Sequence, residues 1–81
     1  MLMEYINAVM RRAKYEILGD KTFYGEISDF DGLYANEKTL EDCRKELEST
    51  LEDWILLSIS KNLPLPTING LSLKVKKAVN A

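Results

Sequence analysis

The sequence predicts an α+β domain with elements in the order α-β-β-β-α-β and one long helix laid across a sheet. Three observations carry this. Apolar residues recur at helical spacing in two stretches, near 2–12 and 39–61. Between them, apolar and polar residues alternate in short runs divided by turn residues. After the second helical stretch, Pro64 and Pro66 impose an extended connection before a last alternating run. The 81 residues read as one domain: an N-terminal helix over 1–12, a core over 13–75 and a tail over 76–81. A chain this short buries only about 60–65% of its unfolded surface, which leaves little room for a deep cleft.

Leu2, Tyr5, Ile6, Val9 and Met10 fall on one helical face. A helix this short persists only when docked. Ala13 to Leu18 alternates and reads as a half-buried strand. Gly19-Asp20-Lys21 supplies a turn, and Thr22 to Ile27 reads as a second strand with Phe23 and Ile27 on one face. Ser28 to Gly32 is a second turn, and Leu33 to Asn36 a short third strand, completing an antiparallel meander. Thr39 caps the main helix, with Glu41, Asp42 and Glu46 near its positive end. Its expected stripe is Leu40, Cys43, Leu47, Leu51, Trp54 and Ser58, and its end lies near Lys61-Asn62. At 1.5 Å per residue it is roughly 33 Å long. Asn69-Gly70 marks a turn, and Leu71 to Val75 reads as a fourth strand.

Composition excludes several kinds of chemistry. There is no histidine, so the usual triads and zinc sites are missing. One cysteine, Cys43, sits on the helical stripe and reads as a buried structural thiol. A lone thiol, no signal-like start and no apolar run of about 20 residues lead to the expectation of a cytoplasmic protein off the membrane. Glu26, Asp29 and Asp31 could be taken for a metal-binding acid cluster. Such chemistry needs carboxylates converging from separate elements, whereas Asp29 and Asp31 share one turn. No enzyme activity, metal or cofactor is expected.

The net charge of −2 hides a pattern: +2 over residues 1–15, −8 over 16–53 and +4 over 54–81. The acidic middle repels phosphate and favours a basic partner. Tyr15, Phe23, Tyr24 and Tyr34 could stack bases, but that charge opposes it. The run Trp54-Ile55-Leu56-Leu57-Ser58-Ile59 is apolar around the whole helix. One small sheet covers one stripe, so Trp54, Ile55, Leu56 and Ile59 are first the candidate self-association surface of a dimer or tetramer, second the place where the N-terminal helix docks, and third a partner-binding groove.

The order Lys14-Tyr15-Glu16-Ile17, Tyr24-Gly25-Glu26-Ile27, Asp29-Phe30-Asp31-Gly32, Leu33-Tyr34-Ala35-Asn36, Thr39-Leu40-Glu41-Asp42-Cys43 and Leu63-Pro64-Leu65-Pro66 resembles the HicB-like antitoxin family. The resemblance runs from about Ala13 to Pro66. It departs from the family where Asp31 replaces the usual proline of the acidic turn. The resemblance implies a truncated ribonuclease H-like fold and a non-enzymatic module that neutralises a small basic HicA-type mRNA-cleaving toxin by occlusion. Asp29, Phe30, Asp31, Glu41 and Glu48 are then the candidate contacts. The fifteen residues after Pro66 are too few for the DNA-binding module many members append, so DNA binding is not expected. The alternative is a solitary homo-oligomer of this fold, with no toxin and an unknown role.

Overall fold

The computed structural model describes residues 2–71. Its order is α1 (Leu2–Met10), β1 (Lys14–Ile17), β2 (Phe23–Glu26), β3 (Tyr34–Glu37) and α2 (Leu40–Ser60). The strands form one antiparallel sheet in the order β1-β2-β3, with Tyr15 opposite Gly25 and Gly25 opposite Ala35. The fourth strand expected over 71–75 lies outside the described residues, apart from Leu71. Leu71 bridges Ile68 around Asn69 (φ 50°) and Gly70 (φ 79°), the left-handed pair that a tight Asn-Gly turn demands.

Local chemistry explains α2. The Thr39 side chain accepts a hydrogen bond from the Asp42 N–H at 3.0 Å, capping the first turn. At the other end Asn62 adopts a left-handed φ of 60°. The Leu63 N–H reaches the Ser58 carbonyl at 2.8 Å and the Asn62 N–H reaches Ile59 at 3.2 Å. This closing pair satisfies carbonyls the helix leaves open.

The core lies between α2, α1 and one face of the sheet. Cys43, Leu47, Leu51, Ile55 and Ser58 are the buried stripe of α2. Tyr5, Ile6, Ala8, Val9 and Met10 are buried from α1, with Ile27, Phe30, Leu33, Ala35 and Ile68 completing the interior. Each such aliphatic side chain contributes about 1.5–3 kcal/mol of burial. Tyr5 donates from its hydroxyl to the Pro66 carbonyl, pinning α1 to the chain that follows α2.

The structure corrects the sequence reading in three places. Trp54 is not in the stripe. Ile55 takes that place at 2% exposure, while Trp54 lies half-buried on the flank, edge-on to Phe30 with centroids 6.1 Å apart. Leu40 is exposed at the first turn. β1 is not half-buried: all four of its residues are exposed. The physical reason is width. A helix with side chains is about 10–12 Å across and strands are about 4.8 Å apart, so one helix roofs two strands. Here α2 packs on β3 and β2 and leaves β1 outside.

Candidate partner-binding surface

An ideal Cβ built on Gly25 would point at the Tyr15 ring and at Cys43 of α2. Odd-numbered strand residues therefore face the helices, and even-numbered ones face away. The outward face carries Lys14 and Glu16 of β1, Tyr24 and Glu26 of β2, and Tyr34 and Asn36 of β3. In register these make two rows, Lys14–Glu26–Tyr34 and Glu16–Tyr24–Asn36. Lys14, Glu16, Tyr34 and Asn36 are exposed, and Tyr24 and Glu26 half-buried. Among the described residues, no helix packs on this face.

The two tyrosines stack diagonally across β2 and β3, with centroids 5.9 Å apart and rings inclined by 24°. The Tyr24 hydroxyl donates to Glu26 Oε1 at 3.1 Å. That bond to a carboxylate holds the Tyr24 phenol above its ordinary pKa. Asn36 Nδ2 donates to the Phe23 carbonyl and to Thr22 Oγ1, both at 2.9 Å, which stiffens the far end of the face. Beside the stack lies a shallow hollow of about 230 Å³, lined among others by Tyr24, Glu26, Asp31 and Tyr34. Aromatic faces next to carboxylates suit a guanidinium or ammonium group, which gains from the ring quadrupole and from the opposite charge.

The residues singled out from sequence are distributed differently. Asp29 is engaged: Arg12 Nε donates to its Oδ1 at 2.8 Å, tying the end of α1 to the β2–β3 turn. Phe30 is 5% exposed and belongs to the core, because the turn folds back and drives its ring against Trp54. Asp31 stays exposed, beside Gly32 at φ 76°. Glu41 is exposed, with its carboxylate 3.7 Å from Lys45 Nζ, and Glu48 is half-buried. Glu41 precedes Trp54 by about 20 Å of helix. Trp54 is the residue that meets Phe30, so the five candidates do not make one patch. Of the self-association candidates, Ile55 closes the chain's own core, Trp54 and Ile59 pack partly against it, and Leu56 is 65% exposed. Leu57, at 48%, lies beside it and was not singled out.

Cys43 is fully buried, and its Sγ donates to the Ala35 carbonyl at 3.5 Å. Burial, then the nearby Glu37 charge, pushes its thiol pKa up, the opposite of an activated nucleophile. Glu26 turns to Tyr24 and Asp29 to Arg12. Among the described residues, no three histidine, cysteine or carboxylate groups converge as a metal site. Among those residues too, no helix is long and apolar enough to cross a membrane.

The sequence reading grouped Tyr24 and Tyr34 with Tyr15 and Phe23 as one stacking platform; the register splits them, with Tyr24 and Tyr34 outward beside Glu26 and Tyr15 and Phe23 facing the helices. The signal for that split was present. Every even strand position is polar or tyrosine, while the odd ones are Tyr15, Ile17, Phe23, Gly25, Ala35 and Glu37.

Comparison with known proteins follows from this geometry. The family model described as UPF0150-like matches residues 4–66. A crystal structure of TTHA0281 from Thermus thermophilus is similar with a TM-score of 0.86 and 34% sequence identity, covering 93% of this chain and 94% of that one. No curated protein matches the sequence.

Proposed function

From the premise that the chain belongs to the UPF0150-like family, we propose that it is a HicB-like antitoxin module that neutralises a small basic HicA-type mRNA-cleaving toxin. On this reading its meander and long helix are a truncated ribonuclease H-like scaffold without catalysis. The observation that carries the proposal is the open sheet face, where the Tyr24–Tyr34 stack lies beside Glu26 and Asp31. A toxin that cuts RNA presents cationic side chains to phosphate. A face of carboxylates and tyrosines competes for the same cations, and covering them blocks RNA entry. The −8 over residues 16–53 draws such a partner in from a distance.

The test is rescue. Any small basic protein encoded next to this gene is expressed alone and then with this chain. The expected result is growth arrest, relieved by the wild-type chain, with a complex on gel filtration. Tyr34→Ala and Glu26→Lys should each weaken rescue while circular dichroism stays native, since both positions lie outside the core. No arrest from any neighbouring small frame, or rescue indifferent to both substitutions, would sink this reading and leave the solitary oligomer.

A further inference from the structure

We propose that β1 pairs antiparallel with β1 of a second copy of this chain, about a two-fold axis through Tyr15, joining two three-stranded sheets into one of six strands. This inference does not rest on the antitoxin reading and uses a different edge of the molecule. β1 ends the strand order, and among the described residues no strand lies beyond it. Its helix-facing side chains are left partly open: Tyr15 lies on Gly25 yet stays 38% exposed, and Ile17 is 67% exposed. Beside them Leu40 is 47% exposed, lining with Met10, Ala13 and Tyr15 a groove of about 440 Å³ that Arg11, Arg44 and Asn7 rim. Natural edge strands usually carry an inward-pointing charge, a proline or a bulge that prevents pairing. β1 carries none of these on that face.

The backbone restricts the register. Leu18 N–H bonds to the Thr22 carbonyl at 2.9 Å, which makes 18 and 22 a hydrogen-bonded pair. Antiparallel pairs alternate, so Lys14 and Glu16 also bond to β2, and the N–H and C=O of Tyr15 and Ile17 point outward to the free edge. A partner strand must meet those outward groups with outward groups of its own. That allows a two-fold axis through any one residue of the strand, and none midway between two residues.

Charge then chooses. An axis through Glu16 sets that carboxylate against its own copy, and one through Lys14 sets two ammonium groups together, both unfavourable; one through Ile17 carries the pairing past the end of β1 into the Gly19-Asp20 turn. An axis through Tyr15 sets Lys14 opposite Glu16 of the second copy, twice, in the closely spaced non-hydrogen-bonded positions. On the helix-facing side it sets Tyr15 against Tyr15 and Ile17 against Ala13, covering the apolar groups that are exposed in the single chain. The strand Lys14-Tyr15-Glu16-Ile17 is complementary to itself in this one register.

Sedimentation equilibrium of the full chain across micromolar concentrations tests it. The wild type should show a reversible dimer of the 9.3 kDa chain. Lys14→Glu and Glu16→Lys, both at exposed positions, should each raise the dissociation constant about tenfold or more, because two attractive pairs become repulsive. The double swap Lys14→Glu/Glu16→Lys should restore the dimer. A mixture of the two single variants should form a heterodimer tighter than either homodimer. Amide exchange gives an independent readout: the Tyr15 and Ile17 N–H groups should slow as concentration rises. A chain that remains at 9.3 kDa at about 100 μM overturns the proposal, and so does an oligomer indifferent to both charge reversals. Protection of those two amides in a monomer overturns it as well, because another part of the chain then fills the edge.

Discussion

β1 and β3 close the same sheet on opposite sides, and they manage their free backbone in different ways. β3 lies under α2, with Ala35 buried against it and Glu37 half-buried on the helix-facing side. An inward-pointing carboxylate is hostile to an incoming strand, and Asn36 commits its side-chain amide to Phe23 and Thr22. β1 has no roof. Its helix-facing residues are Tyr15 and Ile17, and its outward face alternates one cation with one anion. The lesson is that one helix laid over three strands creates an inside edge and an outside edge. Charge placed on the helix-facing side marks the edge that is closed, and its absence marks the edge left open.

The largest expected effect contrasts these two sides. Leu47→Ala removes a fully buried side chain from the α2 stripe, and should destabilise by ~2–5 kcal/mol in urea unfolding. Ile17→Ala trims an exposed side chain on β1, and at concentrations where the chain is monomeric it should cost under about 0.5 kcal/mol. Comparable losses at both positions would mean that β1 is covered after all.

Gly25→Ala comes next. Its new Cβ would sit 2.8 Å from two ring carbons of Tyr15 and 3.2 Å from Cys43 Sγ. Overpacking of this kind costs ~1–3 kcal/mol. The comparison sharpens in a double-mutant cycle. In a Tyr15→Ala background the ring is gone and the cost should fall below about 1 kcal/mol, since contacting residues couple by ~0.5–3 kcal/mol. If Gly25→Ala costs little in both backgrounds, the Tyr15 ring swings freely and β1 is looser than its register implies.

The order of the first five elements, the Thr39 cap and the helix ends were legible because they depend on local chemistry. The exposure of β1 was not, because alternation says that one face differs from the other without saying how many strands a helix can roof. Leu51 to Trp54 and Leu51 to Ile55 are both acceptable helical steps, and only the neighbouring turn decided between them. Phe30 came into the core because that turn folds its ring onto the Trp54 flank, a contact 24 residues apart that no local pattern encodes. The candidate surface was half legible for the same reason. The acidic excess was visible, whereas the Tyr24–Tyr34 stack exists only in register.

Alkaline titration separates the two sides more gently. Burial raises the Cys43 thiol above its ordinary 9.0 on the β3 side, and the Tyr15 phenol above 10.0 on the β1 side. Both groups are neutral when protonated, and the folded state holds the proton more tightly than the unfolded state. The stability they contribute is complete below the ordinary pKa and is lost as pH climbs towards the folded one. Unfolding free energy should begin to fall near pH 9 with the thiol and steepen above pH 10 with the tyrosines. Cys43→Ala should remove the earlier part of the decline. An unchanged profile in that variant would show that the thiol is not desolvated.

The smallest effect lies in the two turns that join these strands to β2, and its sign differs between them. The β2–β3 turn puts Gly32 at φ 76°, where a glycine has no Cβ to clash. The β1–β2 turn puts Lys21 at φ 67°, closed by Lys21 N–H to Leu18 C=O and Leu18 N–H to Thr22 C=O, both 2.9 Å. This is a three-residue hairpin loop whose last position favours glycine, and a lysine there is strained by roughly 1–2 kcal/mol. Lys21→Gly should therefore stabilise, by about 0.5–1 kcal/mol once the added freedom of the unfolded chain is subtracted. Gly32→Ala should destabilise by about 1 kcal/mol for the mirror reason. The Lys21 side chain is exposed, so its removal costs no packing. Thr22 and Asp20 hold the loop independently, through Thr22 Oγ1 to Asp20 Oδ1 at 2.6 Å and Thr22 N–H to the same oxygen at 3.0 Å. Paired thermal melts of the two variants read the sign directly. If Lys21→Gly lowers the midpoint, the aliphatic stem of Lys21 is contributing more than its backbone costs, and the β1 side is better supported than its exposed face suggests.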